Sequence, residues 1–191
     1  MILKKPLSNP KTAQRGQSLV EFAASSVVLL LLIGGLVDIG RSIYVSEGLS
    51  NAVREGARHG IWFDAPSLSH PYLYDAAIKA TVDTELAAIS LPASVLKNPG
   101  GTTCPSPTDG NNLHNPPYAS GAYPGTSNQP WLYICYKNSP GLDYTSPATN
   151  LAQQDVNVII LFTYGPLTPI VQAQFGTFQV AVNQHMTVQG S

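Results

Sequence analysis

The chain has few charged side chains and almost no basic ones after its first third. Asp, Glu, Lys and Arg together make up 11% of the 191 residues, and the formal net charge at pH 7 is −1. Beyond residue 60 the only Lys or Arg side chains are Lys79, Lys97 and Lys137. A nucleic-acid partner requires a basic surface that neutralises phosphates, so this composition excludes nucleic-acid binding.

Motifs for catalysis are also missing from the sequence. It contains no G-x-S-x-G elbow, no phosphate-binding loop that ends in Gly-Lys-Ser/Thr and no H-E-x-x-H pair. The four histidines are scattered, and the run Asp109-Gly-Asn-Asn112 has too few acidic residues for a calcium loop, so a turn is predicted there. We therefore expect no enzymatic activity, no cofactor and no metal.

Only two cysteines occur, Cys104 and Cys135, and they flank a part of the chain that is rich in Gly and Pro. In an exported domain such a pair predicts one structural disulfide. Closing a loop of this length stabilises a domain by about 3–4 kcal/mol in the chain-entropy account. A zinc site that adds His114 is the alternative, but the close Cys or His pairs typical of zinc sites are missing.

One long apolar run is present near the N-terminus. From Leu19 to Val37 the only ionisable side chain is Glu21, and at about 1.5 Å per residue this run reaches about 28 Å, close to the hydrocarbon thickness of a bilayer. Four of the ten Lys and Arg residues precede it: Lys4, Lys5, Lys11 and Arg15. The positive-inside rule then predicts a cytoplasmic N-terminus, a single span in the lipid bilayer at about residues 19–39, and an exported remainder.

Glu21 is the unusual residue of this run. A carboxylate within a membrane span is costly when it is charged and unpaired, so it requires a partner. Glu21 lies five residues after Gly16. Cleavage after Gly16 would give Gln17 a new α-amine, which is the nearest cation that the segment could supply.

These residues resemble a known processing signal. The basic leader, Gly16, the run Gln17-Ser-Leu-Val-Glu21-Phe22 and the apolar segment are similar to the class III signal of type IV prepilins. Further on, the runs Val37-Asp-Ile-Gly-Arg41 and Leu49-Ser-Asn-Ala-Val-Arg-Glu-Gly-Ala-Arg58 resemble the TadE-like family, whose members are pseudopilins of the tight-adherence (Flp) pilus machinery. The resemblance is dense over residues 15–60 and thin beyond them.

The resemblance implies a role in pilus biogenesis, adhesion and biofilm formation. It implies cleavage between Gly16 and Gln17 by a prepilin peptidase, and an assembly role for Glu21 and Phe22. The implied partners are the peptidase, other pilin or pseudopilin subunits and the inner-membrane pilus assembly platform. Major Flp pilins are far shorter, so the large C-terminal part favours a minor or accessory subunit. The resemblance implies that this subunit is anchored in the cytoplasmic membrane with its C-terminal domain in the periplasm. Whether the subunit enters the pilus is left open.

Three alternatives to this interpretation remain. An ordinary secretory signal peptide needs a small-x-small cleavage site, and Gly40-Arg41-Ser42 places an arginine inside it. A plain anchored envelope protein would not be trimmed at all. A membrane-anchored extracytoplasmic binding module or adhesin, also uncleaved, would use the loop around Tyr118 and Tyr123 as its partner surface.

Periodicity predicts an α+β fold in which a long helix packs on a small antiparallel sheet with one further helix, and the resemblance implies that this fold is pilin-like. Residues 1–16 are the leader, residues 17–60 form one helix, and residues 61–191 form the exported domain with an irregular loop at 98–130. The second half of the helix carries an apolar stripe that packs on the chain's own domain or on a neighbouring subunit: Val45, Leu49, Ala52, Val53 and Gly56.

The remaining elements follow from shorter patterns. Residues 74–89 predict a helix that packs on the sheet, and residues 131–136, 156–164 and 178–188 predict strands. Apolar residues recur at every second position in the last two strands, so each is expected to offer one face to a core. The connection at 165–175 contains Leu167, Ile170 and Val171, which either pack beneath the sheet, as we favour, or form a contact patch.

Overall fold

The computed structural model describes residues 10–101, 103–111, 113–136 and 155–188. It contains a long helix α1 (Pro10–Gly60), a helix α2 (Asp75–Ala88), strands β1 (Val95–Leu96), β2 (Trp131–Tyr136) and β3 (Asp155–Tyr164), a short helix α3 (Pro169–Phe175) and strand β4 (Phe178–Thr187). The predicted α+β class is confirmed. Lys4, Lys5, Asn112 and Lys137 lie outside the described residues.

The two halves of α1 differ in what surrounds them. In the second half, Val45, Leu49, Ala52 and Val53 are buried, so the predicted stripe packs on the chain's own domain. In the first half, the large apolar side chains from Leu19 to Val37 are exposed. The apolar half belongs to a helix that is long and apolar enough to cross a membrane.

Helix α2 packs mainly on α1, so the prediction that it packs on the sheet was wrong. The reason is a row of small residues at every fourth position of α1: Gly48, Ala52, Gly56 and Gly60. A Cβ atom on Gly56 would lie 2.5 Å from Val82 Cγ2, and one on Gly60 would lie 2.8 Å from Ile78 Cδ1. Only glycine allows the two helices to approach this closely.

The sheet has the strand order β1-β2-β3-β4. Strands β2, β3 and β4 are antiparallel as predicted, with Trp131 opposite Leu161 and Tyr164 opposite Phe178. Strand β1 is parallel to β2 and pairs only at Val95 and Leu96, which makes the sheet mixed rather than antiparallel. A strand of two residues has no periodicity, so the sequence could not predict it.

Both faces of β3 are buried, whereas the sequence predicted one buried face. Val158, Ile160 and Phe162 face the core that contains α1, while Ile159 and Leu161 face a second cluster with Tyr118. The predicted irregular loop covers this second face. Tyr118 is therefore only 6% exposed and its hydroxyl donates to the His114 carbonyl at 2.5 Å, so it packs locally and does not lie on the exposed partner surface that the adhesin alternative requires.

A disulfide ties that loop to the sheet. It joins Cys104 in the loop to Cys135 in β2, with their Cα atoms 5.9 Å apart. The neighbouring Asn98 side chain donates to the Ile134 carbonyl and accepts from the Ile134 amide, both at 3.0 Å, and so continues the pairing of β1 with β2. Both cysteines are used in the disulfide and are therefore not thiolate ligands for the zinc alternative.

Asp75 is buried where the start of α2 meets β2. Its carboxylate accepts hydrogen bonds from the Gly100 amide at 2.6 Å and from the Tyr136 hydroxyl at 2.9 Å. Burial nevertheless raises the pKa of Asp75 above its ordinary value. The charged form loses more hydration free energy on burial than these two hydrogen bonds restore. Burial and the adjacent carboxylate also raise the pKa of Tyr136, which keeps its hydroxyl protonated as a donor.

A pH titration of stability tests this site. Since the folded pKa of Asp75 is raised, its stabilising contribution is complete below the unfolded value of 3.8 and is lost as the pH rises through the folded value. In Asp75→Asn, the free energy of unfolding in detergent should therefore decline less with rising pH than in the wild type. Parallel curves for the two proteins would contradict the assignment.

Asp109→Asn is the matched control of opposite sign. Hydrogen bonds from Asn111 lower the pKa of Asp109, so its contribution is present above the unfolded pKa and is lost as the pH falls. Removing that carboxylate should reduce the loss of stability as the pH falls below the unfolded value, and should leave the decline above that value as in the wild type.

Candidate functional site

The predicted processing and assembly residues lie within one stretch of α1. Gly16, Gln17, Glu21 and Phe22 are all exposed and belong to a continuous helix, with no break at the expected cleavage point. A Cβ atom built on Gly16 meets open space among the described residues. Packing among the described residues therefore does not demand a glycine at this position.

Glu21 and Gln17 lie on the same side of the helix. The Gln17 side-chain amide donates to the Glu21 carboxylate over 3.0 Å, as residues four apart can do. Because an amide is neutral, this hydrogen bond occupies one carboxylate oxygen without neutralising the charge. Glu21 therefore still requires a cationic partner, because its carboxylate lies in an apolar helix.

A second carboxylate of α1 has a different environment, which sequence reasoning did not predict. Asp38 lies near the end of the apolar half, yet its side chain is only 4% exposed. Its Oδ1 accepts from the Leu167 amide at 2.7 Å, and its Oδ2 accepts from the Thr168 amide at 3.2 Å and from the Thr168 hydroxyl. The carboxylate is therefore satisfied by the connection between β3 and β4.

Local sequence explains this geometry. Thr168 is the residue before α3, and Pro169 begins that helix without needing an amide hydrogen of its own. The free amides of Leu167 and Thr168 can then point at Asp38. Thr168 also lies against Gly34, where a Cβ atom would be 3.1 Å from its Cγ2 atom, so a larger residue at position 34 would push the connection away.

Tyr164 and Arg41 complete this contact, which we call the Asp38 junction. The Tyr164 hydroxyl donates to the Asp38 backbone carbonyl at 3.3 Å, and the Arg41 guanidinium carbon lies 5.7 Å from the centre of the Tyr164 ring. The junction thus joins one turn of α1, over residues 38–41, to the end of β3 and the start of α3. The only sequence signal for it was Asp38 within the motif Val37-Asp-Ile-Gly-Arg41.

Comparison with known families adds one finding. Residues 16–58 match the family model of the TadE-like proteins. Over this stretch, which is most of α1, the chain is similar to the TadE-like proteins. The match begins at Gly16, includes Glu21 and Asp38, and ends two residues before α1 ends. Comparison with curated proteins and with solved structures gives no significant match.

The similarity over α1 suggests involvement in the tight-adherence pilus system. The TadE-like family is a structural family of the tight-adherence pilus system rather than a family of enzymes, and the apolar N-terminal helix is compatible with membrane anchoring. Within the described residues, no three His, Cys, Asp or Glu side chains are grouped so that they could hold a metal. The Asp109 carboxylate accepts from the Asn111 amide and side chain, as in a local turn.

Removing the Asp38 carboxylate should loosen the connection between β3 and β4. Asp38→Ala removes the acceptor of the part-buried Leu167 and Thr168 amides, and a hydrogen bond to a charged group typically contributes about 1.5–3 kcal/mol. We expect a lower thermal midpoint in detergent and faster proteolysis within residues 165–176. Glu47→Ala removes an exposed carboxylate from the same helix and serves as the control; equal behaviour of the two variants would contradict the role of Asp38.

Proposed function

We propose that this TadE-like protein is a minor pilin or pseudopilin that a prepilin peptidase cleaves after Gly16 and that acts in assembly of the tight-adherence pilus. In this proposal, residues 1–16 are the leader, residues 17–60 anchor the subunit in the cytoplasmic membrane, and residues 61–191 form the periplasmic domain. The observation that carries the proposal is the family match, which begins at Gly16 and covers nearly all of the remaining α1.

The exposed apolar half of α1 supports the membrane part of the proposal. Its side chains from Leu19 to Val37 need an apolar environment that the chain's own domain does not provide. A bilayer supplies that environment before assembly, and the helices of neighbouring subunits can supply it afterwards. The basic residues before the span favour a cytoplasmic N-terminus, as the positive-inside rule requires.

We assign Glu21 to subunit register. After cleavage, the α-amine of Gln17 on one subunit pairs with the Glu21 carboxylate of its neighbour. Both charges are expensive in a medium of low dielectric constant, while the hydrogen-bonded pair is tolerated, so subunits favour the one axial offset that pairs them. The exposed side chain of Glu21 and its hydrogen bond from the neutral Gln17 side chain agree with this role.

The adhesin alternative receives less support from the structure. It relied on exposed tyrosines in the loop at 98–130, but Tyr118 is buried against β3 and Tyr123 is partly buried in the same cluster. These side chains hold the loop on the sheet and offer little surface to a partner.

Gly16→Leu should block processing, because a prepilin peptidase accepts only a very small residue before the cleaved bond. Intact-mass and N-terminal peptide analysis of membranes should then show the uncleaved precursor, whereas the wild type starts at Gln17 only when the peptidase is present. Gly40→Leu is the matched control, since Gly40 is also an exposed glycine of α1 with open space around its Cα. A Gly16→Leu protein that still starts at Gln17 would refute the processing assignment.

Glu21→Ala should leave membrane insertion intact but prevent pilus assembly. Removing one partner of a buried ion pair leaves the other charge uncompensated, at a cost of about 3–5 kcal/mol. Glu21→Gln tests the charge itself, because it keeps a side chain that can bond to Gln17; we expect it to fail as well. The measurement is the number of pili on cells with equal amounts of membrane-inserted protein, and normal piliation of Glu21→Ala cells would exclude the role.

A further inference from the structure

The connection between β3 and β4 exposes a group of large apolar side chains. Leu167 is 65% exposed, Ile170 is 55% exposed and Phe175 is 70% exposed, and Phe178 at the start of β4 is also exposed. The sequence favoured packing of Leu167 and Ile170 beneath the sheet, and that prediction was wrong. The reason is the Asp38 junction, which draws the connection onto α1 and leaves these side chains on the outside.

The position of this group along α1 is fixed by the junction. Thr168 lies against Gly34, and both Leu167 and Thr168 bond to Asp38. These two residues of α1 lie at the exported end of the apolar run, where the exposed side chains of Leu36 and Val37 still continue it. The exposed group of the connection therefore lies at the level where the helix leaves the hydrocarbon of a bilayer.

An apolar groove extends this surface along α1. It has a volume of about 590 Å³ and runs between α1 and the elements α3 and β4. Most of its lining is apolar: Gly35, Ile39, Ile43, Val171, Phe175, Phe178 and Val180. Asp38, Ser42, Ser46 and Tyr164 also line it. The groove thus joins the exposed apolar surface of α1 to that of α3 beside the Asp38 junction.

Charge is also suited to a lipid surface here. No Asp, Glu, Lys or Arg residue occurs between Val156 and the C-terminal Ser191, so the connection itself adds no charge to this surface. The Asp38 carboxylate that lines the groove is only 4% exposed and already accepts hydrogen bonds from Leu167 and Thr168. The first basic side chain after the apolar run is Arg41, which lies over the Tyr164 ring. An arginine beside an apolar surface can keep its charged group at the polar headgroup level of a membrane while its stem lies along the apolar surface.

We propose that Leu167, Ile170, Phe175 and Phe178 form a membrane-docking patch, which phospholipids of the outer leaflet of the cytoplasmic membrane cover. Lipid is favoured over a second copy of the chain because the patch is held at the level of the membrane boundary by the same helix that spans the bilayer. This inference rests on the membrane span of the proposed function, but it needs neither cleavage after Gly16 nor a pilus.

Photocrosslinking of the full-length chain in vesicles of phosphatidylethanolamine and phosphatidylglycerol tests the patch. The photoreactive residue p-benzoyl-phenylalanine replaces Phe175 in one variant and Ile170 in a second; both positions are exposed, so folding should not depend on them. Phe22, exposed within the span, is the positive control for lipid contact. Leu113 is the exposed negative control, because its carbonyl accepts from Asn157, near the opposite end of β3.

We expect phospholipid adducts, seen as a mass shift of the tryptic peptide, at Phe175, at Ile170 and at Phe22, with none at Leu113. Lipid adducts at Phe22 but not at the two patch positions would overturn the docking patch and leave the membrane span standing. Crosslinked dimers through the patch positions would likewise overturn it in favour of a second copy. Absence of lipid adducts even at Phe22 would refute the span and the patch together.

Discussion

The bonds of Asp38 to the amides of Leu167 and Thr168 determine how the C-terminal domain sits on α1. The sheet and α2 pack on the second half of the helix through apolar contacts, which are not directional and permit small displacements. The Asp38 junction adds hydrogen bonds with fixed geometry at one end of that contact. The level of the β3–β4 connection relative to the apolar half of α1 depends on these bonds.

The junction also explains why one helix can have two environments without a break between them. A row of small residues and buried side chains from Val45 to Gly60 commits the second half of α1 to a protein core. The first half exposes its apolar side chains in every direction, as a lipid-facing helix does. Asp38 stands between these halves, and its carboxylate is tolerable there because the backbone of the connection satisfies it.

Much of this architecture could be predicted from the sequence because the signals were local. The apolar run, the stripe from Val45 to Val53 and the period-two pattern of β3 and β4 each follow from spacing along the chain. Contacts between distant segments left no such signal. The burial of Tyr118 depends on a loop folding over β3, and the place of α2 depends on glycines whose meaning appears only when the partner helix is known.

The same limit applies to the candidate site. Gly16, Gln17 and Glu21 could be proposed from their spacing, since their chemistry lies within five residues and one helix. Asp38 was recognised as part of a motif, but its hydrogen-bond partners lie about 130 residues later in the chain. Hydrophobic periodicity does not predict contacts over such a separation. The exposure of Leu167 and Ile170 follows from those partners and was therefore missed as well.

If the docking patch and the Glu21 pairing both act, they oppose each other during assembly. The patch is fixed to α1 through the Asp38 junction, so a subunit that leaves the bilayer must withdraw both its spanning helix and its patch from lipid. Apolar surface withdrawn from lipid must be covered by neighbouring subunits, or its exposure to water opposes the step. The helices of neighbouring subunits cover the spanning helix. The charge pair at Glu21 selects the axial offset at which these helices bury the whole apolar span. An assembled subunit therefore needs a neighbour that covers its patch, so the same surface that seats the subunit on the membrane becomes a subunit contact once the filament forms.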